Sequence, residues 1–215
     1  MLIAGIIGQR DKGKTANLIK SILSGAKRRI SIIDLKNLSN LDTNRVKSYL
    51  DEHRRHNTEI LIIKIDMECL SIELLECLCF DIIILTDKAD DISETDLDNY
   101  REFTKKAFSL LNEKGIAIVN ADDNELIQLL QGIKHHIVTY GFNLKASITA
   151  SSIGDLVIKD SLMCCLQRTI LARNGKLIEP QEFKVKADIE GVDPYNVLAA
   201  ATFVLINGVD FNVER

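Results

Sequence analysis

Gly8 and the run Gly13-Lys14-Thr15 carry the strongest chemical signal in the chain, and they stand in the spacing G-x-x-x-x-G-K-[ST]. Glycines at those positions let backbone N–H groups turn inward on a phosphate. The lysine reaches the terminal phosphates, and the following hydroxyl ligates magnesium. A helix starting behind such a loop adds the partial positive charge of its N-terminus. Ordinary residue frequencies give the pattern by chance in about one chain in a hundred of this length. The flanking context argues further against chance: an apolar run, Leu2 to Ile7, precedes it, and a helical pattern from about Lys14 to Ser24 follows. The spacing therefore predicts a bound nucleotide with Mg2+, held by Gly8, Asp11, Lys12, Gly13, Lys14, Thr15 and Ala16, with Thr15 on the metal. A lysine-rich turn between strand and helix is the competing reading.

Such a loop needs a sheet to hold it, and the hydrophobic period supplies one. Strands are expected at 2–7, 29–34, 59–66 and 80–87, at "IAIVNADD" (116–123) and at "HHIVTYG" (135–141). Helices are expected at 43–55, at "SIELLECL" (71–78), from Ser93 to Gly115 and at 124–132. "EILIIKID" and "FDIIILTD" are near-continuous apolar runs, the pattern of strands buried on both faces. This alternation implies an α/β fold with a mainly parallel, doubly wound sheet and right-handed crossovers. After Gly141 the texture changes to Thr, Val and Ile, and Asn174-Gly175 separates two strand-like runs, a hairpin signal. A small antiparallel β patch is expected from about 145 to 190, followed by a last helix after Pro194 that ends near Gly208. No repeat, low-complexity linker or internal domain boundary is visible.

The 215 residues suit one large domain. Hydrophobic residues at 46% and charged residues at 27% place the chain among globular proteins rather than disordered ones. With a net charge of -4 and no basic stripe interleaved with aromatics, nucleic acid is not expected as a partner. No apolar run approaches the roughly 20 residues that span a membrane. The apolar start has no basic leader and runs straight into the glycine loop, so a cytoplasmic protein is expected. Cys69, Cys77, Cys79, Cys164 and Cys165 lack zinc spacing and sit in apolar surroundings, which predicts buried, reduced thiols. His53 and His56, in "DEHRRHN", read as a solvated helix face.

Later stretches together resemble one family. "FDIIILTDKADDISETDLDNYREFTKKAF" looks like its segment F-D-hydrophobic-T-N-x-x-x-D-H-L-D with a following tyrosine, lysine and phenylalanine. "IAIVNADD" resembles its N-A-D-D strand end, "YGFN" with the later "ADI" its antiparallel patch, and "EGVDPYNVLAAATFVLINGVD" its G-x-x-N-x-x-N-x-x-A-A helix. Four stretches in order, behind a matching loop, resemble the central ATP-binding domain of the Mur ligase and folylpolyglutamate synthase group. The resemblance implies ATP and Mg2+ as cofactors and Asn196 at the base or ribose edge of the nucleotide. It also implies a peptidoglycan-related lineage. Its chemistry would be ATP-dependent amide-bond formation through an acyl phosphate, shared among a substrate domain, the central domain and a lid domain. On this reading residues 1–215 are the central domain alone, with the substrate and lid domains absent.

The departures matter as much as the matches. The family's magnesium glutamate falls on Lys64, with Asp66 or Glu68 as the alternative if the register slips. The metal-binding histidine falls on Ile92 beside a retained Asp91, and the carbamylated lysine falls on Thr104. Lys105 is adjacent to Thr104 but points about 100° further round a helix; it is the alternative carbamylated residue if the register slips. The metal set that survives is Thr15 with Asp87 and Asp91. The expectation is a nucleotide-binding module, catalytically degenerate, acting as a regulatory, scaffold or partner subunit of another protein chain or as a homo-oligomer. Two alternatives are an ATP-dependent amide ligase that takes its missing domains from a partner, and an unrelated small P-loop NTPase or kinase with Asp87 as its metal ligand.

Overall fold

The computed structural model describes residues 1–8, 11–38, 42–66, 78–87, 97–130, 132–151, 157–158, 161–186, 192–209 and 211. Its main chain builds strands β1 (Leu2–Ile7), β2 (Ile30–Asp34), β3 (Ile60–Ile65), β4 (Phe80–Leu85), β5 (Leu111–Asn120), β6 (His136–Tyr140) and β7 (Ile148–Ala150). Strands β8 (Val157–Ile158), β9 (Ser161–Leu166), β10 (Ile170–Leu171), β11 (Leu177–Ile178) and β12 (Gln181–Lys186) follow. The helices are α1 (Lys12–Gly25), α2 (Thr43–Arg55), α3 (Leu97–Ser109), α4 (Asn124–Leu129) and α5 (Pro194–Ile206). The expected helix at 71–78 and the Ser93 cap lie outside the described residues.

One ten-stranded sheet runs β12-β9-β7-β6-β5-β4-β1-β3-β2, with β8 on β9. From β2 to β7 every pairing is parallel, and from β7 onward to β9, β8 and β12 every pairing is antiparallel. The architecture is α/β, mostly parallel, with the antiparallel patch where the texture changes after Gly141. Strand alternation sorts the core onto two faces. Ala4, Ile6, Ile60, Ile62, Ile82, Ile84, Ile116 and Ile118 pack under α1 and α5. Ile3, Ile7, Leu61, Ile63, Ile83, Leu85, Ala117 and Val119 pack under α2, α3 and α4. Central strands therefore need apolar residues at every position, which is why β3 and β4 read as unbroken runs.

Helix α5 is apolar all round because it is buried all round, packed on α1 and across β5, β6, β7 and β9. Its Thr202 hydroxyl donates to Leu198 O at 2.7 Å and so needs no outside partner. The hairpin forms as expected. Gly175 adopts φ +82 and donates its N–H to Ala172 O at 2.9 Å, closing the turn between β10 and β11.

Two expectations are corrected. Helix α3 ends at Ser109, not Gly115, because Leu111 is drawn into the sheet opposite Phe80. Gly115 instead marks the register shift within β5, where a Cβ would lie 2.8 Å from Leu111 Cδ2. The cysteines are not uniformly buried. Cys164 is, with burial pushing its thiol up to about 12, but Cys165 is half-buried and Cys79 is exposed between the buried Leu78 and Phe80. Cys69 and Cys77 lie outside the described residues.

Candidate functional site

Strand β1 lies between β3 and β4, where the chain passes from strands on one side of β1 to strands on the other, and a crevice opens at its carboxyl end. Gly8 sits there, its N–H on Ile65 O at 3.2 Å. Thr86 donates both its N–H and its hydroxyl to Ile7 O at 3.0 Å, tying β4 to the same point. A Cβ on Gly8 would run into Thr86 Oγ1 and lie 2.8 Å from Asp87 Oδ1. Glycine is thus required by close approach, and Asp87 borders the loop. Gln9 and Arg10 lie outside the described residues.

Helix α1 begins at Lys12. Asp42, Asp123 and Asp193 cap α2, α4 and α5 by accepting the N–H of Arg45, Leu126 and Tyr195. Asp11 makes no such bond to α1. Its carboxylate lies 3.4 Å from Lys14 Nζ instead, and Lys14 is 53% exposed. Asp11 thus leaves the first turn of α1 without a cap from its own N-cap side chain, and N–H groups at a helix start suit an anion. Ala16 is fully buried and packs this turn against the core, while Gly13 has open space where a Cβ would stand.

Thr15 is fully buried, and its hydroxyl donates to Asn196 Oδ1 at 3.1 Å. The two residues, far apart in sequence, meet because α5 lies on α1. Asn196 is 3% exposed, and its side-chain nitrogen has no partner among the described residues. The start of α5 is fixed from several sides. Asp193 caps it, and Tyr195 OH donates to Asp122 Oδ2 at 2.9 Å. Asp122 also accepts the N–H groups of Phe142 and Asn143. Burial, with the nearby charge of Asp122, holds the Tyr195 phenol protonated well above its ordinary range.

Asp66, just after β3, contacts Lys12 through Oδ1 and Lys36 through Oδ2, the latter at 3.0 Å. Burial raises the Asp66 carboxyl, but hydrogen bonds and charge from the two lysines outweigh it and hold the group below the usual carboxylate range. Lys64 pairs with Asp34 at 3.4 Å. Thr104 is fully buried beside Tyr100, whose OH donates to Asp123 at 2.8 Å, while Lys105 is exposed. Asp91, Ile92 and Glu68 lie outside the described residues.

These donors do not assemble a divalent-cation site. Among the described residues no group of three or more His, Cys, Asp or Glu side chains could hold a metal. The Thr15 hydroxyl is directed at Asn196, and both oxygens of Asp66 face ammonium groups. The Lys12–Asp66–Lys36 cluster is what the sequence hid, since its members come from α1, the end of β3 and the turn after β2. A pocket of about 290 Å3 lined by Lys14, Asn17, Leu18, Ser21 and Val192 opens beside the loop. A larger cleft of about 740 Å3 lies at the other ends of the strands, between Asp81, Asn112, His136 and Arg173.

The family profile of the Mur ligase middle domain matches residues 12–203, and the chain belongs to that family. No curated protein matches it significantly in sequence. Among solved structures, it is similar to a UDP-N-acetylmuramoyl-L-alanyl-D-glutamate–2,6-diaminopimelate ligase. That match has a TM-score of 0.71 at 16% identity and covers 98% of this chain and 44% of the other. A MurF ligase from Thermotoga maritima in complex with ADP gives 0.62 at 14%, covering 99% and 47%. A bifunctional folylpolyglutamate synthase/dihydrofolate synthase from Yersinia pestis, complexed with AMPPNP and Mn ion, gives 0.62 at 9%, covering 99% and 55%. The chain spans about half the length of these relatives. At such identities the likeness speaks for the fold. No helix among the described residues is long and apolar enough to cross a membrane.

Proposed function

We propose that this chain is a cytoplasmic nucleotide-binding module that takes ATP at the first turn of α1, turns it over feebly, and serves as a regulatory, scaffold or partner subunit. The observation that carries the reading is Asn196. A buried amide nitrogen without a partner is rare in a folded protein and calls for an acceptor, and this one is held beside Thr15 on the uncapped helix. The phosphates lie over Gly8, Gly13, Lys14 and Thr15, and the nucleoside end takes the pocket lined by Lys14, Asn17, Ser21 and Val192. Nucleotide-bound relatives of the same fold support this placement. Feeble turnover is supported by the Lys64–Asp34 pair and by the buried Thr104, neither of which offers a metal or carbamate ligand.

Calorimetry with ATP tests the reading: the parent binds, and Asn196→Ala weakens binding at least about fivefold, the loss of one hydrogen bond. Equal affinity in the two proteins overturns it. A second reading, an amide ligase completed by a partner chain, is favoured by family membership. Phosphate release by the isolated protein at about 1 per second or more, abolished by Lys14→Ala, selects that reading instead.

A further inference from the structure

We propose that the cleft of about 740 Å3 at the amino ends of the strands is a second ligand site, for a small organic acid with one carboxylate head on an apolar body. It lies at the opposite ends of the strands from the glycine loop and does not rest on the nucleotide reading above.

Its walls are held in place by the fold itself. Asp81 stands at the start of β4, Asn112 to Ile116 form the irregular start of β5, and His136 opens β6. The β10–β11 hairpin faces them across the cleft, with Ile170, Ala172 and Ile178 buried in the core. Arg173 donates its N–H to Ile206 O at 2.8 Å, and Asn174 packs on Gly208, so the hairpin tip is tied to the end of α5. A concave, preformed space of this size with a few convergent polar groups suits a small molecule.

The lining chemistry indicates which one. Four formal charges border the cleft, Asp81 and Glu113 against Lys114 and Arg173, and they sum to zero. A polyphosphate gains no net attraction from such a sum, whereas a ligand with a single charge needs only one favourable contact. The four differ in what they still offer. Asp81 is engaged on both oxygens: Oδ2 accepts the Ile3 N–H at 2.9 Å, and Oδ1 accepts Asn112 Nδ2 at 3.0 Å and Arg173 Nη2 at 3.4 Å. Among the described residues, Arg173 Nε and Nη1 make no hydrogen bond, and Lys114 and Glu113 make no ion pair. Two cationic donors therefore stand against one unengaged carboxylate. The planar fork of Arg173, aimed by Asp81, matches a carboxylate in shape and charge. The apolar body has its own wall. Ile116 and Ala172 line the cleft, and Leu171, 51% exposed, pairs across the hairpin with Leu177, 59% exposed. Covering Leu171 removes apolar surface from water.

Amide NMR of the full chain at about pH 7, titrated separately with hexanoate, hexanol and hexylammonium, tests the proposal. Hexanoate is expected to shift resonances between Asn112 and Ile116 and between Leu171 and Gly175, with a dissociation constant of about 1 mM or tighter. Hexanol, with the same body and no charge, is expected to bind about tenfold more weakly, the loss of a charge-assisted contact. Hexylammonium is expected to bind no better than hexanol, because Asp81 is already engaged. Arg173→Gln is expected to weaken hexanoate about tenfold and leave hexanol unchanged, a difference that loss of structure does not produce. Lys114→Gln, on the surface, is expected to act in the same direction by about threefold, and it keeps the experiment decisive if Arg173→Gln does not fold. Equal binding of hexanoate and hexanol, or tighter binding of hexylammonium, overturns the proposal. Hexanoate shifts that fall on the glycine loop, or a dissociation constant of about 10 mM or weaker, overturn it too. So does unchanged hexanoate affinity in the folded variants. None of these outcomes touches the nucleotide reading.

Discussion

Helices α1 and α5 pack on each other over one face of the sheet, and their first turns are built in opposite ways. At α5, Asp193 accepts the Tyr195 N–H at 2.9 Å, Pro194 fills the first turn where no N–H is needed, and Tyr195 is moored to Asp122. At α1, Asp11 makes no cap bond and turns to Lys14. The finished turn holds Asn196 in place, and the unfinished one presents N–H groups beside it. On the proposed reading, the fixed turn of α5 holds Asn196 beside the turn of α1 where the phosphates would bind. A site of this kind is best probed by changes that finish the open turn or undo the closed one.

The largest effect is expected at Lys14. Replacing it with alanine removes a charge-assisted phosphate contact of about 1.5–3 kcal/mol, roughly tenfold to a hundredfold in affinity. The melting temperature should stay unchanged, since the side chain is half exposed. Calorimetry and a thermal melt on one preparation check both halves. Gly8→Ala strikes the floor below the open turn. Its new Cβ meets Thr86 and Asp87, and overpacking of this kind costs about 1–3 kcal/mol of stability. Gly13→Ala, in open space, should be tolerated, and denaturant midpoints distinguish the two.

At the caps themselves, Asp193→Ala should destabilise by about 0.5–2 kcal/mol. Asp11→Ala, with no cap bond to lose, should change stability by less than about 0.5 kcal/mol. Equal losses in urea unfolding would erase the contrast between the two helices. The smallest effect is electrostatic. The Asp66 carboxyl is depressed in the fold, so the stability it contributes is fully present above its unfolded value of about 4 and fades as pH falls through its lower folded value. Melting temperatures of the parent and Asp66→Asn should differ at pH 6 to 7 and converge as the pH falls below the unfolded value of about 4.

What could be read from the sequence follows how local the information is. The strand–helix alternation, the Asn174-Gly175 turn and the change to antiparallel pairing after Gly141 rest on period and turn chemistry within a few residues, and all appear. Family resemblance implies Asn196 at the base or ribose edge of the nucleotide cleft, but not its hydrogen bond to Thr15, since no local pattern links α1 to α5. The end of α3 was misplaced because "SLLNEKG" keeps a helical pattern, while the pairing of Leu111 with Phe80 overrides it. The burial of Cys79 was misjudged from composition, because alternation at a strand entry exposes one residue between two buried ones. Lys14 carried the motif, yet Lys12 is the buried lysine. That depends on Asp66 and Lys36, which arrive from separate crossovers.

Helix α5 also bears on how the protein is made. It follows the whole sheet in sequence, yet it covers the face formed by α1 and strands on both sides of the parallel–antiparallel switch. While the ribosome is still delivering β9 to β12, the nascent chain must therefore hold Ile118, Val138, Tyr140 and Ile148, on β5, β6 and β7, without their lid. Contacts of such long sequence separation fold slowly and expose sticky intermediates. A chain arrested or clipped before Pro194 is a client for chaperones and proteases, and completion of this one segment commits everything synthesised earlier.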